Sequence, residues 1–573
     1  MQCRHDLVIR GGTIADGSGG ALFEADVAVQ GGRIVEIGRV AGTGAEEIDA
    51  KGLLVTPGFV DIHTHYDGQI TWEDRLASSS LHGVTTILAG NCGVGFAPCR
   101  PDHRDLLVKV MEGVEDIPEI VMTEGLPWNW ESFPEYLDSL ESRRSDIDFA
   151  VQVPHSAVRV FVMGKRGADL EPPTHDDLAQ MRRIVTEGIR AGALGVSTSR
   201  CLSHRTRAGA LAPSVLTEEE ELIALAHGLR DAGAGVFQII PRTAADDTDP
   251  VQEMAMMRRL MVASGRPLSF TLLHKSERPQ QLNIILGELE AIRAEGLPML
   301  AQVCPRPLGV LFGLDLSFHP FRFRPSYAAI EHLPLAERVA AMRDPALRAR
   351  LLAERPEHSN PAFVRITGAI DTLCELGDPP NYEPGPEDTL AARARTMGIS
   401  AAELAYDILI SDGGTKLLLW PAANYVGHSL DEVRPLLTRN DTLIALGDGG
   451  AHYGMICDSS YTTTLLAYWT RDRGRDLIAL PQAVKSLSHD TARAVGLSDR
   501  GRIAVGLRGD LNLIDYDRLG LQLPYIRRDL PAGGRRLHQG ATGYRATIVN
   551  GVPAYRDGAA TGALPGRLIR GPR

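Results

Sequence analysis

Short apolar runs alternate with helical patterns through most of the 573 residues, and no other feature limits the fold as strongly. The runs are Phe59–Ile62, Thr85–Ala89, Phe149–Val153, Leu194–Ser197, Val236–Ile240, Leu268–Leu273, Met299–Val303, Thr415–Leu419 and Leu443–Leu446. Several follow a helical stretch that stops at glycine, at Gly83, Gly192, Gly235, Gly265 and Gly296. A strand covered on both faces reads as a continuous apolar run, and glycine closes helices because it enters the left-handed region without strain. About eight such units in one chain predict an α/β protein, a TIM-like (β/α)8 barrel. Apolar residues make up 44%, enough for a large core, which excludes wholesale disorder.

The two ends have a different texture. Asp6–Arg10, Asp26–Gln30 and Arg33–Gly38 alternate with period two and stop at glycine turns. Asp510–Asp515 and Ala546–Asn550 repeat that pattern near the other end. Neither end alone offers enough strands to bury a face, so the two are expected to form one small β-sandwich domain. The expected organisation is residues 1–57 as the first part of that domain, 58–496 as the barrel, and 497–573 as its second part. A stretch around 306–382, rich in proline and charge, is expected to be an insertion in the barrel.

Lys and Arg number 60 against 72 Asp and Glu, a net charge of −12, which argues against a general nucleic-acid binder. Seven scattered cysteines make no disulfide framework and fit a reducing compartment. The first residues, MQCRHDLVIRGG, contain no apolar segment of a secretory signal, and no apolar run reaches a membrane-spanning length. A cytoplasmic protein without a membrane partner is the expectation.

Three segments carry chemistry. The run Pro57-Gly58-Phe59-Val60-Asp61-Ile62-His63-Thr64-His65 leads an apolar strand into His-x-His. Residues i and i+2 of a strand face one side, so the imidazoles of His63 and His65 can grip one metal at the strand's end. In Thr85–Gly93, Cys92 lies just past a strand, where a thiolate can ligate zinc or a buried thiol can simply pack. In Leu443–His452, Asp448 ends a strand and precedes Gly449, Gly450, Ala451 and His452. Such an aspartate can bind metal and take a proton from water, or it can form an Asp-Gly turn. His155 and the segment containing Arg200 and His204 sit at further strand ends. There they can orient a substrate carboxylate or cap a loop. His274, after Leu268–Leu273, is a further candidate ligand.

Taken together, these segments resemble the amidohydrolase superfamily, in particular its D-aminoacylase (N-acyl-D-amino-acid deacylase) type. The resemblance runs in order from DLVIRGGTIADGSG through TPGFVDIHTH, GVTTILAGNCG, VPHSAVRVFVMG, LGVSTS and LGDGGAH to GRIAVGLRGDLNLID. It implies a metal-dependent hydrolase of a small amide, most directly an N-acyl-D-amino acid, and a homo-oligomer. It carries metal binding to His63, His65, Cys92 and Asp448 and the catalytic base to Asp448; the substrate contacts expected beside these are His155, Arg200, His204 and His452. Cyclic amide or imide hydrolysis, or a catalytically reduced small-molecule-binding protein, are the alternatives.

The chain departs from the family at two places. A histidine expected near the end of Val236–Ile240 is absent, and of a pair expected after Leu268–Leu273 only His274 stands nearby. No lysine ends the Leu194–Ser197 strand, which leaves the bridging role of a carbamylated lysine to Cys92. The expectation is therefore one zinc ion per chain, with the vacated space used for substrate and with Arg200 and His204 as carboxylate anchors. A second ion would have to draw on His274.

Overall fold

A computed structural model describes residues 4–244 and 248–571. Eight parallel strands follow one another in chain order, counting Asp148–Val151 and Val153–Pro154 as one interrupted strand. Phe59–Asp61 pairs with Val84–Ala89, which pairs with Asp148–Val151. One residue further on, Val153–Pro154 begins a six-stranded sheet that continues through Gly195–Ser199, Val236–Ile240, Leu268–Thr271 and Met299–Val303 to Thr442–Ile444. Nearly every residue of these strands is buried, because helices cover the outer faces. Beyond the strand ends, Thr64 forms a parallel bridge with Gly449, and the Asp448 N–H donates to the His63 carbonyl at 3.1 Å. The first and last strands are thus joined just where the His-x-His and Asp448 segments lie.

The helices stop where local chemistry dictates. Ser132 and Thr174 open Phe133–Glu141 and His175–Ala191 with capping boxes closed by Glu135 and Asp177. Glu219–Ala232 ends at Gly233 (φ 71°), two residues before the glycine read from the sequence.

The two ends of the chain meet in one nine-stranded sheet. Leu54–Pro57 lies between Arg4–Ile14 and Leu511–Ile514, with Val55 opposite Leu513. Leu7, Ile9, Val27, Val55, Leu513 and Ile548 share its core.

The run Thr415–Leu419 is not a ninth member of the parallel series. Leu418–Ala423 pairs antiparallel with Leu308–Phe312 and with Cys374–Glu375. This small sheet and the helices between Pro325 and Ile410 have their own core, around Phe312, Phe321, Tyr327 and Tyr406. The unit sits between the seventh and eighth parallel strands and continues past residue 382. No helix among the described residues is long and apolar enough to cross a membrane.

Candidate metal centre

His63, His65 and Cys92 each bring one ligand atom within 4.8 Å of the others. His63 and His65 lie just past the first strand, Cys92 just past the second. Asn91 ties these two loops together, donating to the carbonyls of Thr64 at 3.1 Å and Leu88 at 2.9 Å. Cys92 Sγ lies 3.4 Å from His63 Nε2 and 3.5 Å from His65 Nε2. Asp448 Oδ1 lies 3.4 Å and 3.5 Å from the same two nitrogens. That oxygen is buried and has no hydrogen-bond partner.

The backbone pays a conformational cost for this convergence. Cys92 (φ 57°), Leu446 (φ 67°), Asp448 (φ 47°) and His452 (φ 53°) all lie at positive φ without being glycine. Such residues collect at functional loops, each held there by its surroundings.

The imidazoles are oriented from behind. His63 Nδ1 donates to Gln302 Oε1 at 2.7 Å, and Gln302 donates in turn to Ser269 Oγ at 3.0 Å. A carboxamide oxygen only accepts, so the His63 proton is on Nδ1 and the Nε2 lone pair faces Cys92 and Asp448. His65 Nδ1 lies 3.4 Å from Glu115 Oε1, and His452 Nε2 lies 3.4 Å from Glu115 Oε2. Glu115 and Gln302 were not among the residues singled out from the sequence.

The electrostatics follow from burial and crowding. Burial opposes charge on His65, but Glu115 and Asp448 outweigh it and raise its pKa. Burial raises the Glu115 carboxyl, with His65 opposing. Burial also pushes the Cys92 thiol well up, and nearby Glu115 and Asp448 add to the effect. Asp448 is held far below the usual carboxylate range: burial would raise it, but His65, His63 and His452 prevail.

The remaining candidates have other surroundings. His155 is fully buried, with Nδ1 2.8 Å from Thr198 Oγ1 and Nε2 2.8 Å from Glu221 Oε1. Glu221 also pairs with Arg159, so His155 belongs to an internal network and has no ring nitrogen left for substrate. Arg200 donates to Glu253 Oε1 at 2.9 Å, to Glu253 Oε2 at 3.4 Å and to the Thr217 carbonyl at 2.8 Å. Its guanidinium already holds a carboxylate of the protein. His274 Nε2 lies 2.7 Å from Glu432 Oε2, and the ring is not part of the histidine–cysteine cluster. His204 has an unpartnered, buried Nδ1. Burial and then the nearby His65 and His452 lower its pKa to about 3. His452 joins the site through Glu115 and lies 3.8 Å from Asp448 Oδ2.

The donor set fits a zinc-type cation. Bonds of ~2.0–2.3 Å to nitrogen, oxygen and sulfur in a tetrahedron separate the donors by roughly 3.3–3.7 Å. The four separations of 3.4–3.5 Å fall in that interval. A buried Asp448 Oδ1 without a hydrogen bond, set against two imidazole nitrogens, is costly unless a cation is shared among them.

Comparison with known proteins extends this picture. A family model described as "Amidohydrolase family" matches residues 46–555. D-aminoacylase from Alcaligenes xylosoxydans xylosoxydans is 27% identical over 98% of this chain and 97% of its own length. N-acyl-D-glutamate deacylase from the same organism is 25% identical over 100% of this chain and 97% of its own. The fold is shared with the N-acyl-D-glutamate deacylase of Bordetella bronchiseptica, solved with zinc and a phosphonate mimic of the tetrahedral intermediate. There the TM-score is 0.66 at 20% identity, over 99% of this chain and 100% of that one.

Proposed function

Since the chain belongs to the amidohydrolase family, we propose that it is a metal-dependent hydrolase of the amide C–N bond of N-acyl-D-amino acids. The reading rests chiefly on one observation: the convergence of His63, His65 and Cys92, with the unpartnered Asp448 Oδ1 against both imidazoles. The two full-length relatives named for amides of D-amino acids support the substrate class. We further infer that the eight parallel strands close into a (β/α)8 barrel, which puts the site at the strands' C-terminal ends, where such barrels carry their chemistry.

His63, His65, Cys92 and Asp448 would hold one zinc ion. When bound there, a cation of this kind supplies Lewis-acid chemistry: it acidifies water towards pH ~7 and polarises an amide carbonyl. The protein's own groups do the rest. Asp448, kept ionised by the surrounding imidazoles, takes the proton of the attacking water and delivers it to the departing nitrogen. Cys92 and His63 keep their places because Asn91 and Gln302 brace them. His452 and His204 are the ring nitrogens that remain to contact substrate.

The test is a panel of N-acyl-D-amino acids, N-acyl-L-amino acids and cyclic amides, assayed with zinc-loaded protein of measured metal content. Turnover of the D-series with close to one equivalent of zinc is expected. Turnover confined to cyclic amides would replace the substrate class. No metal retention and no turnover would overturn the reading as a whole.

A further inference from the structure

Glu115 is the least expected member of the site. It is 1% exposed, and its two carboxylate oxygens face two different histidines, His65 Nδ1 and His452 Nε2, each at 3.4 Å. It is the last residue of the helix Arg104–Glu115, and Asp116 then turns the chain at φ 51°. The helix end also fixes the loop that carries His452. The His452 N–H donates to the Glu115 carbonyl at 2.5 Å, and the Gly454 N–H donates to Asp116 Oδ2 at 3.0 Å. Ser317, from the inserted unit, donates through its hydroxyl to the same Asp116 carboxylate at 2.8 Å. One helix terminus thus holds a metal-facing imidazole, the loop after the eighth strand and the inserted unit in a single arrangement.

We propose that Glu115 is a positioning residue that sets the tautomer of His65 and couples it to His452. Resting on the metal-centre reading above, the proposal assigns a role that the family resemblance does not supply. Neither His65 Nδ1 nor Glu115 Oε1 has any other hydrogen-bond partner, and a carboxylate only accepts, so the facing atoms are satisfied when each ring nitrogen carries a proton. For His65 this puts N–H at Nδ1 and leaves the Nε2 lone pair towards Cys92 and Asp448. For His452 it puts N–H at Nε2, beside Asp448 Oδ2. A carboxamide of the same shape cannot serve both rings. Its oxygen accepts from one, while its NH2 requires a lone pair on the other. Glu115→Gln therefore pushes one histidine into the opposite tautomer, and if that is His65, its Nε2 gains a proton and ceases to be a ligand.

The experiment reads metal binding as well as turnover. Zinc affinity of wild type, Glu115→Gln and His65→Ala is measured by competition with a chelator, and the thermal unfolding of each metal-free protein is recorded alongside. Loss of an outer partner of a metal-bound histidine costs about 10–100-fold in affinity. Glu115→Gln is expected to lose that much while its metal-free unfolding stays close to wild type. Affinity within twofold of wild type overturns the proposal. So does a variant that is merely less stable and binds zinc normally. If Glu115→Gln does not fold, cobalt-substituted wild type decides. Two exchangeable imidazole N–H protons shifted by the metal, from His63 and His65, are expected, and a single one overturns the proposal. A wild type that holds no metal, with His65→Ala indistinguishable from it, overturns the metal-centre reading itself, and this proposal with it.

Discussion

The ends of the first, second and eighth parallel strands and those of the fourth, fifth and sixth both carry polar side chains, yet these meet different neighbours. On the first side, His63, His65, Cys92 and Asp448 point ligand atoms at one another. On the other, Arg200 and Gln238 are held by internal hydrogen bonds, and His274, whose ring nitrogens make no hydrogen bond, stands apart from the cluster. Arg200 grips Glu253, and His274 lies against Glu432. Gln238 donates to the Ile62 carbonyl at 3.1 Å and accepts from Gln152, so it props up the His63 strand from inside. A potential ligand becomes a site only when folding leaves its atom without an internal partner. What marks the first side is that its unpaired buried oxygen, on Asp448, lies among three converging ligand atoms.

The sharpest way to break this comparison is at Asp448. Asp448→Asn should lower kcat on a confirmed substrate by about 10²–10⁴-fold at saturating zinc, since an amide cannot accept the water proton. Unchanged kcat would make the first side structural. His63→Ala removes one of the four donors and should leave the purified protein with little metal, as elemental analysis would read directly. Zinc retained at the wild-type level would move the centre elsewhere.

The second side should respond in stability, not in chemistry. Arg200→Met strands Glu253 in the interior, where removing one member of a buried pair costs about 3–5 kcal/mol. Thermal unfolding should fall clearly, while KM for a carboxylate substrate stays near wild type in the protein that remains folded. A stable variant with a strongly raised KM would return Arg200 to the substrate.

The two sides also differ in how readily the sequence discloses them. His63, His65, Cys92 and Asp448 each follow an apolar run within a few residues, so strand periodicity alone puts them at strand ends. Whether a neighbour distant in sequence has already claimed a side chain is not a local property. Arg200 meets Glu253 and His274 meets Glu432 only after the helices between them pack. Glu115 did leave a signal. Leu107, Val108, Met111 and Val114 define the buried face of its helix, and Glu115 falls one turn after Met111 on that face. An acid in an apolar stripe asks for a partner. Gln302 and Gln238 pose the same question as lone polar residues in apolar strands. The run Thr415–Leu419 shows the opposite failure. Its composition matches a barrel strand, but its antiparallel partner, Leu308–Phe312, lies about a hundred residues earlier, and no local pattern distinguishes the two environments.

The mildest test of the comparison is His274. A second ion at this ring would require Nδ1 or Nε2 to face the metal cluster, yet Nε2 is directed at Glu432, whose side chain is 53% exposed. A pair with one partner so open to solvent contributes at most about 1 kcal/mol. The chain around His274 does not depend on the ring. Its N–H donates to Asn424 Oδ1 at 2.9 Å, and its carbonyl accepts from the Asn424 N–H at 2.7 Å. These backbone bonds survive any side chain. His274→Gln should therefore keep close to one equivalent of zinc, with a fall in thermal stability worth about 1 kcal/mol or less. If wild type bound two equivalents tightly and the variant one, the second side would supply a ligand after all, and the division between the two sides would fail at that strand.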